Sequence, residues 1–265
     1  MNLAKMRFAI SVVGLCVTAL WCGAAAQDML QYLDLTSPAM TRAEMTRSDV
    51  EAMIKAAQGE PLDLSGKRLS GLDLSGLDLT RADLSSTRLN NTNFAKAKLD
   101  GAHLDLSWAL KADFSGASLK GASLFSAQMQ GSKFDHADLS GARIAANLTG
   151  ASLRDANITG ANGSPDMKNQ SMGLMRTVLK SANLEGADLS GSNLTRVDLA
   201  FANLKGANLS GANLLDAEAG GADFRSANLS GSNMIGVDVA SARIDTAAAE
   251  SAFAQAANLS RAFKE

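Results

Sequence analysis

A period of five runs through most of this chain and constrains its fold more than any other feature. In Ala182-Asn183-Leu184-Glu185-Gly186 and Ala187-Asp188-Leu189-Ser190-Gly191, a small residue is followed by Asp or Asn, then Leu, then two polar or small residues. The same rule runs from Leu64 to Ile144, through Leu148, Leu153 and Ile158, and again from about Leu179 to Ile244. Five fits neither the helical repeat of about 3.6 nor the strand repeat of 2, so neither element can bury a leucine at every fifth position. A solenoid that turns one corner per repeat can. Each Leu then points to a shared axis beside the small residue two before it, while the other three positions face water or form the corner.

The chain also indicates how many repeats close one coil. Phe replaces Leu at Phe94, Phe114 and Phe134, twenty residues or four repeats apart. A four-sided coil would stack these three rings on one side, in line with Leu74, at the spacing of about 4.8 Å between parallel strands. Phe224 falls outside that spacing.

These tandem copies, together with Ala207-Asn208-Leu209-Ser210-Gly211, resemble the pentapeptide-repeat family over most of the chain after Pro61. The resemblance implies an all-β fold, a right-handed four-sided parallel β-helix, with Leu or Phe and the small residue inside. It implies no single activity. Some members of the family resemble a DNA duplex in shape and charge and bind DNA gyrase.

Residues 1–26 have the layout of a secretory signal peptide: Lys5 and Arg7, an apolar run from Phe8 to Cys22, then Gly23-Ala24-Ala25-Ala26. The run is shorter than the roughly 20 residues that span a bilayer, so no transmembrane segment is expected after processing. Cleavage near Ala26 removes both cysteines, Cys16 and Cys22, and takes the formal net charge from −2 to −4. The expected product is exported, to the periplasm or the medium, without a disulfide, a thiol nucleophile or a cysteine metal ligand. Its mild charge offers no basic footprint for nucleic acid and makes a weak duplex decoy.

Five segments are expected. Residues 1–26 are the signal peptide; 27–61 are a polar, mobile lead followed by a capping helix; 62–160 are the first repeat segment. Residues 161–173, with Gly163, Pro165 and Gly173, read as an inserted loop in which Lys168, Asn169 and Gln170 are candidates for recognition. Residues 174–265 hold the second repeat segment and a C-terminal cap, so that 62–265 form one solenoid of roughly nine coils. The helix is read from a capping box at Ser48-Asp49-Val50-Glu51, with Val50, Met53, Ile54 and Ala57 on one face. Leu72 and Leu77 take the small position and should widen the first coils. At the far end, Leu259 and Phe263 are read as the closing residues.

One place breaks the rule in a way that suggests contact. At Leu106-Ser107-Trp108-Ala109-Leu110 the core position falls to Ala109, and Trp108 and Leu110 flank it on the outside. With Phe125 on the next coil, Leu106, Trp108 and Leu110 would form an exposed apolar patch, the candidate partner-binding site. The alternative is that Trp108 tucks over the small Ala109. Farther on, Asn193, Asn213 and Asn233 should form an amide ladder, and Asp198, Glu218 and Asp238 a solvated carboxylate column.

Nothing in the chain reads as a catalytic or cofactor site. His103 and His136 are the only histidines, fall on different sides of a four-sided coil, and sit in no Ser/His/Asp arrangement. No metal, cofactor or enzyme activity is expected. The functional reading is an exported scaffold whose faces bind an unknown protein or envelope component, with a gyrase-binding duplex mimic or a secreted effector as alternatives.

Overall fold

The computed structural model describes residues 34–166 and 175–265. The expected signal peptide, the start of the lead, and Lys168, Asn169 and Gln170 lie outside the described residues. Each repeat lays down one bridging residue and one corner. Leu64 N donates to Asp83 O at 2.8 Å, and Asp83 N donates back to Leu62 O at 2.8 Å. This parallel pairing recurs every twenty residues, as in Asp63, Asp83, His103, Ser123 and Arg143, so four repeats make a coil. The sides carrying Leu64, Leu69, Leu74 and Leu79 are called sides 1 to 4. Side 1 is crossed nine times, last at Asn233, and the coils are numbered accordingly.

The corner explains the residue types around the Leu. Lys67 N reaches back to Leu64 O at 3.2 Å, closing a four-residue turn whose third member, Gly66, has φ +66°. That left-handed position suits Gly, yet Arg81 (+58°), Lys96 (+60°) and Leu106 (+61°) adopt it too. Their strain is offset by the ladder bonds on either side. The preceding Asp or Asn fixes the turn, because its Oδ1 accepts the N–H two residues on: Ser65 to Asp63 at 2.9 Å, Ala95 to Asn93 at 2.9 Å, Ser190 to Asp188 at 2.9 Å. Asn does a second job that Asp cannot, donating from Nδ2 to the coil before. Asn208 reaches Asp188 and Asn228 reaches Asn208, each at 3.0 Å. In the ladder expected on side 1, Asn233 reaches Asn213 at 3.0 Å, but Asn213 turns to the Thr195 hydroxyl at 3.0 Å rather than to Asn193.

Inside, the Leu and Phe positions are fully buried. The rings of Phe94, Phe114 and Phe134 stack at 5.1 and 4.8 Å between centroids and 7° and 5° between planes, as the twenty-residue spacing implies. Leu72 and Leu77 are half-buried against the core at the first coil. Some interior hydroxyls reach the coil before: Thr87 donates to Leu64 O at 3.0 Å and Thr92 to Leu69 O at 2.8 Å.

Both interruptions of the period fall on one corner, between sides 1 and 2. On coil 5, Ala146 N closes a three-residue turn onto Ile144 O at 2.7 Å, which shortens the coil by one residue. On coil 6, Asn162 still pairs with Arg143 and Asn193, and the coil resumes at buried Thr177 and Val178. Residues 161–163 therefore belong to coil 6, although the sequence placed them in the loop 161–173, and residues 167–174 lie outside the described residues. Gly163 takes the core position there, where a Cβ would lie 2.5 Å from Thr177 Oγ1 and 3.3 Å from both Ile144 and Leu194. The two interruptions shift the frame so that Phe224 falls on side 3, in line with Phe94, Phe114 and Phe134.

Both ends are covered. Helix α1 (Pro38–Thr41) precedes α2 (Arg47–Ala57). The capping box of α2 is formed by Thr46 and Asp49, two residues before the expected Ser48 and Glu51, and Glu51 instead pairs with Arg47 at 2.6 Å. Val50 is buried, with Met53 and Ile54 packed beside it. The Arg47 guanidinium donates to Asp73 O at 3.0 Å and Ser75 O at 3.1 Å, carbonyls that a preceding coil would reach with backbone N–H groups. Glu44 N does the same for Arg68 O at 2.9 Å. Glu44 and Arg47 thereby tie the entry of α2 to coil 1. At the other end, β1 (Arg243–Ile244) pairs in parallel with β2 (Phe263–Lys264), and α3 (Thr246–Ser251) leads to Phe253. Phe253 is the closing residue: it is buried with its ring edge-on to Phe224 at 5.4 Å, whereas Phe263 is 59% exposed.

Two predictions follow from this packing. Phe114→Ala removes the middle ring of the stack and should cost about 3–5 kcal/mol, while Phe114→Leu, the residue most repeats use, should cost about 1 kcal/mol, both read from urea unfolding. The Asp63, Asp73 and Asp78 carboxyls are held below their usual range, chiefly by hydrogen bonds from Ser65, Ser75 and Thr80. A folded-state pKa below the unfolded one stabilises above the unfolded value and is lost as pH falls through the folded value. Wild type should therefore lose thermal stability between about pH 5 and pH 2, and the triple Asn variant, which keeps the acceptor oxygens, should lose less.

Candidate partner-binding face

Side 2 differs from the other three in its outward column. On coils 1 to 4 that column reads Arg68, Arg88, Trp108 and Gln128, the longest run on any side without the Asp or Asn that fixes the corner. Trp108 bridges Arg88 and Gln128 through its backbone, and Ala109 behind it is fully buried. Leu106 occupies the corner between sides 1 and 2 and is 54% exposed; Leu110 occupies the corner between sides 2 and 3 and is half-buried. Trp108 is itself half-buried between them.

Phe125 stands on the same corner as Leu106, one coil on, and Leu106 N donates to Phe125 O at 2.9 Å. Its ring is not free, because the Arg143 guanidinium of side 1 lies 4.1 Å from its centroid. The four candidate residues thus lie across the width of side 2, with Phe125 partly covered by a cation.

The rest of the coil stack sharpens the distinction. Apart from Phe263 at the C-terminus, the exposed large apolar residues among those described are Leu106, Phe201 at 65% and Ile235 at 49%. Ile235 lies on the corner between sides 1 and 2, and Phe201 on the corner between sides 2 and 3. The two remaining corners, from Ser75-Gly76 and Thr80-Arg81 to Arg225-Ser226 and Ser230-Gly231, hold no large apolar residue. Phe201 and Ile235 were missed in the sequence because each sits inside a regular repeat; only the side assignment relates them to Trp108. The Phe201 ring lies on Gly221, where a Cβ would fall 2.5 Å from its Cδ1, so that glycine lets the ring lie along the corner.

Several buried polar atoms also lie on this side. Ser70 Oγ, Ser107 Oγ, Ser126 Oγ and Gln130 Oε1 are buried and make no hydrogen bond within the described residues. All four belong to side 2 or its corners, three of them on coils 3 and 4 beside Trp108.

The lower part of side 2 is acidic: Asp198, Glu218 and Asp238 on coils 7 to 9. This column is not simply solvated. Arg176, at the return of the excursion, forks onto Glu218 at 2.7 and 3.0 Å and lies 4.0 Å from Asp198, and Asn258 donates to Asp238 at 2.8 Å. Burial works against the Arg176 charge, but these carboxylates hold its pKa above the ordinary value. Among the described residues no cluster of His, Cys, Asp and Glu could hold a metal ion, and no helix is long and apolar enough to cross a membrane. His103 lies on side 1 and His136 at a corner between sides 3 and 4.

A stack of four-sided coils with leucine inside and a polar column on each side is a repeat solenoid. The profile described as pentapeptide repeats matches residues 63–105, 111–142, 144–162, 174–211 and 202–239 in eight copies, and the chain belongs to the pentapeptide-repeat family. Solved structures to which the chain is similar include trypsin-treated QnrB1, a plasmid-mediated fluoroquinolone resistance protein, at 16% identity over 67% of this chain and 80% of that one, with a TM-score of 0.47. HetL of the cyanobacterium Nostoc sp. strain PCC 7120, involved in heterocyst differentiation regulation, is 26% identical over 74% of this chain and 98% of its own, with a TM-score of 0.31. A protein of the Arabidopsis thaliana thylakoid lumen is 23% identical over 66% and 70%, with a TM-score of 0.19. The comparison with curated proteins finds no match.

Proposed function

We propose that this protein is an exported, non-enzymatic binding scaffold whose side 2 docks a protein or envelope component. The observation that carries this reading is the confinement of Leu106, Phe201 and Ile235 to the two corners that flank Trp108. Exposed aromatic and aliphatic side chains bordered by polar residues are the usual make-up of a contact surface. Export rests on the layout of residues 1–26, and a right-handed coil on the family resemblance. A gyrase-binding duplex mimic ranks lower: a duplex carries about one negative charge per 1.7 Å, whereas the outward columns here interleave Arg68, Arg88, Lys98, Lys133 and Arg143 with their carboxylates.

Two measurements test the proposal. Fractionation of C-terminally tagged full chain should find a processed form beginning near Gln27 outside the cytoplasm; an unprocessed cytoplasmic form refutes export. Trp108→Asp with Phe201→Asp should lower crosslinking to envelope proteins about tenfold with the circular dichroism spectrum unchanged, while Lys96→Asp with Lys205→Asp on the opposite corner should not. Equal loss in both pairs would mean that side 2 is not the docking face.

A further inference from the structure

We infer that side 2, when no envelope component occupies it, docks a second copy of this chain, antiparallel, side 2 against side 2. The inference deepens the proposed docking role of that side and rests on it. Its basis is the order of chemistry along the column. Coils 1 and 2 carry Arg68 and Arg88, with Lys67 beside them and only Glu44 in partial compensation at 3.9 and 3.3 Å. Coils 7 to 9 carry Asp198, Glu218 and Asp238, with Arg176 as the partial compensation. Between them lie Trp108, Gln128, Asn147 and Val178. Two positive charges in excess at one end face two negative charges in excess at the other, with an uncharged middle.

Read backwards, such a face is its own complement. A two-fold axis lying across side 2 at Asn147, on coil 5, sets each coil against the one equally far on the other side of the axis. Coil 1 then meets coil 9, and Arg68 meets Asp238; coil 2 meets coil 8, and Arg88 meets Glu218, which is 56% exposed on its side chain even with Arg176 attached. Coil 3 meets coil 7. On the corner between sides 2 and 3, this places Leu110 against Phe201, the most exposed large apolar residue described. On the column, Trp108 meets Asp198 and Arg176, a carboxylate for the indole N–H and a cation for the ring. Gln128 meets Val178, and Asn147 meets its own copy, where two amides can exchange hydrogen bonds.

One axis position therefore satisfies both charge pairs and the apolar pair together. A parallel arrangement would set Arg88 on Arg88 and Glu218 on Glu218, which like-charge repulsion disfavours. The strip is narrow, one repeat wide and about 40 Å long at the strand spacing. Such a contact is at the small end of specific interfaces, so the dimer should dissociate at about 10–100 µM and weaken with salt.

The test uses the full chain with Cys16 and Cys22 replaced by Ser, which removes both native thiols. Variants L110C and F201C are made separately in that background, and sedimentation equilibrium is run alongside. Mild oxidation should give a covalent dimer from the mixture of L110C with F201C and at most a tenth as much from either alone; K96C with F201C is the background control. Unmutated protein should show a monomer–dimer equilibrium, and F201D should raise its dissociation constant about tenfold. A chain that stays monomeric at 200 µM in low salt overturns the inference, as does equal crosslinking of L110C with itself. Neither result touches the docking role of side 2, which the envelope crosslinking tests separately.

Discussion

The parallel backbone ladder between coils is the interaction on which every other feature of this structure depends. Each side contributes a single bridging residue whose N–H and flanking groups reach the coils before and after it. A ladder one residue wide has no strand to hold its register. Register comes from the corners, and there the Asp or Asn becomes necessary: its oxygen takes the N–H two residues on and sets the turn before the next bridge. Where Asn stands, its amide also reaches the coil before and ties the columns lengthwise. The leucines then supply burial, and every side chain that drops into the axis does so because the corner aimed it.

The same dependence explains how the stack tolerates interruption and how it ends. A residue removed at Ile144–Ala146 is absorbed because a three-residue turn can replace a four-residue one without moving the bridges. On the next coil the chain leaves that corner after Gly163 and the coil resumes at Thr177, and side-chain-free Gly163 lets Ile144, Thr177 and Leu194 close around the gap. The ends follow a different solution. With no coil before the first, Arg47 and Glu44 provide donors in the places where backbone N–H groups would lie. At the last coil, Phe253 comes in edge-on where a stacked ring would be expected.

Much of this was legible in the sequence because a five-residue period has one physical reading and Phe94, Phe114 and Phe134 reported the number of sides. What was not legible depended on geometry that no local pattern encodes. Phe224 seemed unrelated to the other rings until the missing residue and the excursion were placed on one corner. Arg47 carries no sign that its guanidinium would stand in for backbone, and Phe253 lies beyond the repeats, where the period no longer assigns a side. The N-terminal box slipped by two residues because Thr46/Asp49 and Ser48/Glu51 both satisfy the same short pattern. For the candidate site, Trp108 was visible because it broke the rule, whereas Phe201 and Ile235 keep it and were invisible until their sides were known.

That difference bears on why side 2 is singled out. A residue that replaces Asp or Asn in the outward column gives up the turn-fixing bond, and its corner must be held by other means. On side 2 the substitute is visible: Asn90, at the corner itself, accepts Leu110 N at 3.0 Å and donates to Met40 O at 3.1 Å. Trp108 is thereby released from the turn, and with Arg68, Arg88 and Gln128 it presents aromatic, cationic and amide groups outward on successive coils. Other sides depart from the rule too, with His103, Ser123 and Arg143 on side 1, but no exposed large apolar residue flanks the corner between sides 4 and 1. The fold meets the local rule almost everywhere and relaxes it longest on side 2, where exposed apolar residues also line the corners, and the proposed docking role rests on that coincidence.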